Sequence, residues 1–286
     1  MAIRSIASPG FLNGARSSLA VVTAIALLAG LGGCGVRSAA AGRPPPREHD
    51  VTVWSPPGTP PLSDGRAAAL VTARPENRPA NEAANAYVPT TSQLASFHAA
   101  EDRIRGAVTF NPLTRYVTGR PGLAHPSTDD LIQWVSHKWG IPTNWIRAQL
   151  VAESGWDQAH RGDLAHVSAS WYRQYPSLER VKGTDLAYES VGIAQVRWLP
   201  DGSIGRGTRP LSYESTAFNL DYYAATVRYF FDGDCRWCSS GYGAGQTWNS
   251  IGAWFSPQPW MNSGARRYVR KVRSDLAQHV WRYRGF

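Results

Sequence analysis

The sequence predicts a mainly α domain carried behind an export segment and a proline-rich linker, on three observations. From about residue 95 to 286, apolar residues recur at helical spacing in runs separated by Gly- and Pro-rich connectors. Residues 19–31 form an uncharged run of 13 positions preceded by Arg4 and Arg16. Between these two regions, residues 43–61 hold seven prolines in nineteen positions.

The N-terminal run is too short for a comfortable membrane span and suits the apolar core of a signal segment. It ends in "LGGC", which resembles the lipobox of bacterial lipoproteins and makes Cys34 the lipidated first residue of the mature chain. The alternative is simple cleavage after the small residues 39–41, which leaves a secreted soluble protein. The expected organisation is therefore a signal peptide over 1–33, a lipid-anchored Pro/Ala-rich linker over 34–94, and a helical domain over 95–286. Proline-dense sequence with few apolar residues reads as a semi-extended tether. Within it, "DVTVW" has the pattern of a short strand.

Loss of Arg4 and Arg16 with the signal lowers the formal charge from +9 to +7. A basic exported protein suits anionic envelope polymers, but the Lys and Arg residues are dispersed, which argues against nucleic acid as a partner. Apart from Cys34, the cysteines are Cys235 and Cys238, in "CRWC". A single CxxC is poor support for zinc, and export favours a local disulfide. A redox-catalytic pair is the remaining alternative.

Four helices follow from spacing. In "PSTDDLIQWVSHKWG", Ser127 and Asp130 form a capping box, Leu131, Ile132, Trp134, Val135 and Trp139 make an apolar stripe, and Gly140 ends the helix. "PTNWIRAQLVAESG" places Ile146, Gln149, Leu150 and Glu153 on one face, with a turn at Gly155. "STAFNLDYYAATVRYFFDG" is apolar at Leu220, Tyr223, Val227, Phe230 and Phe231. "ARRYVRKVRSDLAQHVW" is apolar at Val269, Val272, Leu276 and Val280.

Glu153 is the residue with the sharpest chemistry. An acid on a partly apolar helix face is most often solvated or paired with a buried Arg. The functional alternative is a general acid, whose carboxyl holds its proton near neutral pH because it is partly desolvated. The neighbouring segments bear on this choice. "AESGW" closes a helix, "SVGIAQV" follows at 190–196, then the helix containing "FNLDYYAATVRYF", then "WNSIGAWFSPQPW", then "YVRKV". This order resembles the catalytic domain of soluble lytic transglycosylases, of the lysozyme-like superfamily and related to goose-type lysozyme, over roughly residues 128–285.

The resemblance implies a lysozyme-like helical domain that acts on the glycan strands of peptidoglycan and needs no cofactor or metal. It makes Glu153 the sole acid/base and Ser154 its companion. It puts Gly192, Ile193 and Gln195 in a glycan-contacting Gly-x-x-Gln segment and Tyr268 beside the acid. The residues alone allow Gln195 to be a surface side chain and Tyr268 a core tyrosine. The tryptophans at 139, 145, 156, 171, 254 and 260 read as core, with Trp254 the one to watch as a sugar platform. The family's Ala-Tyr-Asn is Ala253-Trp254-Phe255 here, and Glu153 and Gln195 are 42 positions apart, wider than usual. The extra chain, about 157–189, reads as an inserted lid or subsite wall. It carries His160, Asp163 and His166, whose spacing matches no strong zinc signature.

The implied reaction cleaves the bond between N-acetylmuramic acid and N-acetylglucosamine and closes a 1,6-anhydro ring on the muramyl end. The alternatives are a hydrolytic muramidase, for which Asp157, Asp163, Glu189 and Asp201 are second-carboxylate candidates, and a non-catalytic peptidoglycan-binding envelope lipoprotein.

Overall fold

The computed structural model describes residues 50–168, 170, 173, 180–199, 204–238, 241–258, 261–283 and 286. The signal segment, Cys34, Trp171, Asp201, Trp260 and part of the inserted stretch lie outside the described residues. Among the described residues the domain is mainly helical, with one small antiparallel sheet. No helix among them is long and apolar enough to cross a membrane.

The long helices form where spacing and capping place them. The N-terminal arm carries α1 (Asp64–Ala68), α2 (Glu82–Asn85) and α3 (Thr91–Asp102). Helix α4 (Thr128–Trp139) starts at the Ser127–Asp130 capping box and ends at Gly140, which takes the left-handed φ of 61° that a C-cap glycine adopts. Helix α5 (Thr143–Glu153) runs to the acid itself. After the sheet come α6 (Leu211–Glu214) and the 17-residue α7 (Thr216–Asp232), capped by Ser215 and closed at Gly233. Helix α8 (Thr247–Phe255) precedes α9 (Ser263–Gln278). The last helix stops at His279, and a single 3-10 turn, Val280–Arg282, follows it.

Helix α7 is buried along most of its length. Phe218, Leu220, Tyr223 and Val227 meet Leu131, Trp134 and Val135 of α4, Ile146 and Leu150 of α5, and Val269 and Val272 of α9 in one core. A polar post crosses this core. Asp221, fully buried on α7, accepts from Lys138 Nζ and Trp139 Nε1, each at 2.7 Å, and Lys138 Nζ also donates to Asp64 at 2.7 Å.

The linker expectation fails for residues 50–94, which belong to the same compact unit as the helical domain. Trp54 stacks on Phe231 with centroids 4.4 Å apart, and Ala67 is fully buried. "DVTVW" is not a strand. Val51 instead exchanges hydrogen bonds with Thr143, its N–H to Thr143 Oγ1 at 3.0 Å and its carbonyl from Thr143 N at 2.9 Å. The arm then caps helix ends: Ser55 N donates to Gly140 O at 2.9 Å, and Glu76 Oε2 accepts from Thr128 N at 2.7 Å. Composition misses this because the arm adds a few apolar side chains to a core built by other elements and is otherwise held by hydrogen bonds to groups that helix ends leave unsatisfied.

The described part of the inserted stretch and the residues that follow it build a sheet in the order β1-β2-β3, with β1 (Arg161–His166), β2 (Leu186–Val191) and β3 (Val196–Arg197). Gly162 pairs with Ser190, and Val191 pairs with Val196.

Candidate active site around Glu153

Glu153 closes α5, and the chain reverses at once: Gly155 and Trp156 both take φ of 65°, and Gly155 N donates back to Leu150 O at 3.1 Å. The residue as a whole is half-buried, with the carboxyl as its enclosed end. Its proton affinity follows from that position. Desolvation pushes the carboxyl from 4.5 up to about 8, and the charge of Asp163 acts in the same direction. Hydrogen bonds from Tyr268 and Trp254 and the charge of Lys271 act against it without cancelling it. The negative end of the α5 dipole also disfavours a carboxylate there.

Tyr268, on α9, donates its hydroxyl to Glu153 Oε1. Its phenol is pushed well above the usual tyrosine value, first by burial and then by the Glu153 charge, so it acts as a donor across the neutral range. Behind it, Tyr223 OH donates to Gln149 Oε1 at 2.6 Å, with both side chains fully buried. Gln149, which in the sequence weakened the apolar face beside Glu153, is thus a buried polar support of the site. Trp254 on α8 donates from Nε1 to Ala194 O at 3.1 Å and meets Tyr223 edge-on at 5.1 Å. Phe255 is 53% exposed and stacks on Tyr268 at 5.1 Å, so an aromatic surface faces the opening beside the acid.

The Gly192–Gln195 segment is brought to the end of α5 by side chains from three directions. Ser154 Oγ donates to Ile193 O at 2.7 Å, Ile193 N donates to Gln158 Oε1 at 3.0 Å, and Ala194 N donates to Asn219 Oδ1 at 3.0 Å. Asn219 also donates to Val191 O at 3.0 Å. Gly192 takes φ of 82°, and a Cβ there would lie 2.1 Å from Asn219 Nδ2. The glycine therefore admits the buried Asn219 side chain, not a glycan. Ile193 is fully buried, and Ser154 spends its hydroxyl on the Ile193 carbonyl. Gly192 and Ile193, expected as glycan contacts, are buried and position the segment, while half-buried Ser154 ties it to the end of α5 through its hydroxyl.

Gln195 is half-buried with φ of 55°, and its Nε2 donates to Gly192 O at 2.7 Å. Of the residues that the sequence singles out, Glu153, Gln195 and Trp254 are half-buried, and Tyr268 is buried against Phe255. Gln158, Asn219 and Tyr223 support the site without any local signal of chemistry. Asn219 and Tyr223 do lie in the helix that forms part of the motif order, so that helix was the available clue.

Among the described residues no group of three His, Cys, Asp or Glu side chains is placed to hold a metal ion. His166 Nδ1 lies 2.9 Å from Asp185 Oδ2, and Asp163 Oδ2 accepts from Ser190 Oγ at 2.7 Å. Cys235 and Cys238 sit at disulfide distance, with Cα atoms 5.5 Å apart.

The fold and the site together define a mainly helical domain in which Glu153, an enclosed carboxyl at the end of α5, meets Tyr268 of α9. Comparison with protein-family models, curated proteins and solved structures finds no match. The functional reading therefore rests on the geometry and on the order of the sequence motifs.

Proposed function

We propose that this protein is a peptidoglycan lytic transglycosylase with a lysozyme-like domain, exported and held at the cell envelope by lipid on Cys34. The observation that carries the reading is the Glu153–Tyr268 pair: a carboxyl at the end of α5 that burial raises to about 8 and whose position is set by a buried phenol. Such a carboxyl can protonate the glycosidic oxygen between N-acetylmuramic acid and N-acetylglucosamine. Once ionised, it can take the proton of the muramyl C6 hydroxyl as that oxygen attacks the anomeric carbon. The bond to the departing sugar breaks, the 1,6-anhydro ring forms, and no water is consumed. A held hydroxyl outcompetes water through its high effective concentration. Peptidoglycan strands are the partner, and the membrane is reached through Cys34.

The test is mass analysis of products from purified peptidoglycan. Anhydromuramyl ends, resistant to borohydride, are expected, and Glu153→Gln lowers their formation by on the order of 10²–10⁴-fold. Undiminished cleavage by that variant removes Glu153 from the acid role. Glycan binding without cleavage by either form favours the non-catalytic envelope reading.

One observation favours hydrolysis as a second reading. Asp163 on β1 is close enough for its charge to act on Glu153. A second carboxylate across the site is what a water-activating glycosidase uses. Reducible ends that incorporate oxygen from labelled water, and that vanish in Asp163→Asn, select the muramidase.

A further inference from the structure

Helix α9 gives one side to the core and the other to solvent. Ala265, Tyr268, Val269 and Val272 are buried. Arg266, Arg267, Arg270, Lys271 and Arg273, five positive side chains in eight positions, are all exposed. On an α-helix these positions fall within an arc of about 160° and a length of about 10 Å. Helical spacing thus gathers on one face the cations that apolar residues interrupt in the sequence.

Little of this charge is neutralised within the protein. Among the described residues, the one ion pair made by these five side chains is Lys271 Nζ with Asp275 Oδ2, at 2.7 Å. Arg266 donates to Met261 O, and Arg273 lies over the Trp248 ring at 4.4 Å, contacts that leave both charges in place. Arg267 and Arg270, in the middle of the arc, meet no acid among the described residues. Like charges held this close repel, and a layer of anions against them removes that repulsion.

The face also adjoins the point where the chain leading back to Cys34 joins the described domain. Asp50 accepts from Arg147 Nη1 of α5 at 2.5 Å. Four residues on, Trp54 meets Trp145 at 5.9 Å, and Trp145 meets Trp248 of α8 at 4.0 Å. Arg273 covers that same Trp248. A row of rings therefore connects the start of the N-terminal arm to the edge of the basic face.

We infer that the outer face of α9 docks on the anionic headgroups of a phospholipid bilayer. Five charged heads on one convex helix face match a plane of headgroups, and the arm brings the anchor end of the chain to the same side. A basic amphipathic helix commonly buries its apolar side in the bilayer. Here that side is committed to the core, so the contact is peripheral and electrostatic. Tyr268, which holds Glu153, sits on the opposite side of the same helix. Docking therefore places the acid roughly one helix diameter, 10–12 Å, from the headgroups. The inference goes beyond the enzymatic reading and does not require that peptidoglycan be cleaved.

The experiment is co-sedimentation of the full chain carrying Cys34→Ser, so that no acyl chain contributes. The probes are vesicles of equimolar phosphatidylglycerol and phosphatidylcholine, and vesicles of phosphatidylcholine alone. Binding through the apolar run 19–31 is common to both. The anionic vesicles bind at least on the order of tenfold more tightly, and the preference fades as salt shortens the Debye length from about 10 Å at 0.1 M to about 3 Å at 1 M. Arg267→Gln with Arg270→Gln loses about fivefold per charge, on the order of twentyfold together. Arg103→Gln with Lys182→Gln removes two exposed cations of other elements and leaves the preference unchanged. Equal affinity for the two vesicles overturns the inference whether or not the variants fold. Equal losses in the two double variants overturn it as well, because net charge and not the α9 face is then being read. Retention on poly(glycerol phosphate) without vesicle binding gives the face to a soluble polyanion instead and overturns the bilayer. A protein that prefers anionic vesicles but cleaves no peptidoglycan loses the enzymatic reading while this one stands.

Discussion

Replacing Glu153 by Gln changes how stability depends on pH, and the change reads the state of the carboxyl without reference to catalysis. In the unfolded chain the group titrates near 4.5, and in the folded protein near 8. Between those values the native state keeps a proton that the unfolded chain has released, so folding weakens as pH rises through the window. At about 1.36 kcal/mol per pH unit, the upper bound is about 5 kcal/mol above pH 8 and about 3 kcal/mol at pH 7. Water reaching a half-buried residue reduces this to about 1–3 kcal/mol at pH 7. Glutamine keeps the shape and the acceptor for Tyr268 but carries no proton to lose. Other buried acids, such as Glu101 and Asp130, titrate alike in both proteins and cancel in the difference. Thermal unfolding of the two proteins from pH 4.5 to 8 is the assay. The variant gains on the unaltered protein with rising pH, by several degrees in Tm at pH 7, at roughly 2–4 °C per kcal/mol for a domain of this size. Parallel curves across the window refute the enclosed, proton-holding carboxyl.

Four further outcomes follow from the same geometry. Tyr268→Phe deletes a donor that favours ionised Glu153, so the basic limb of the pH–activity profile moves up by about one pH unit, from a hydrogen bond of about 1.5 kcal/mol to a charged group; movement downward contradicts the assignment. Gly192→Ala forces a left-handed backbone on a residue with a Cβ, at about 1–2 kcal/mol before the collision with Asn219 is added, and a chemical-denaturation midpoint equal to that of the unaltered protein counts against the packing. Lys138→Met leaves Asp221 buried without its cation and costs roughly 3–5 kcal/mol at neutral pH, read in the same denaturation assay. A chain beginning at residue 95 lacks Trp54, Asp64 and Glu76, and its circular-dichroism melt loses cooperativity; a sharp melt at the original temperature shows the arm to be dispensable.

The helices were legible because their signals are local. Ser127 with Asp130, the stripe from Leu131 to Trp139, and the stop at Gly140 are contained within one element, and the observed α4 has those bounds. The position of Glu153 was legible for the same reason, since it sits at the joint of an apolar run and a Gly turn. What its carboxyl does depends on long-range contact. Tyr268 is 115 positions away in sequence, and its hydroxyl reaches Glu153 only because α5 and α9 pack together. The same distance problem hid Asn219, whose amide positions Ala194 from α7, and the burial of Gly192 and Ile193, which were expected as glycan contacts. Residues 50–94 were misread because proline density and low hydrophobicity describe a chain that cannot build its own core. They do not report whether it supplies caps and counter-ions to another. Periodicity records which face of an element is apolar. The partner that desolvates a carboxyl or accepts from an orphan N–H is set by how the elements meet, and that information is distributed over the whole chain.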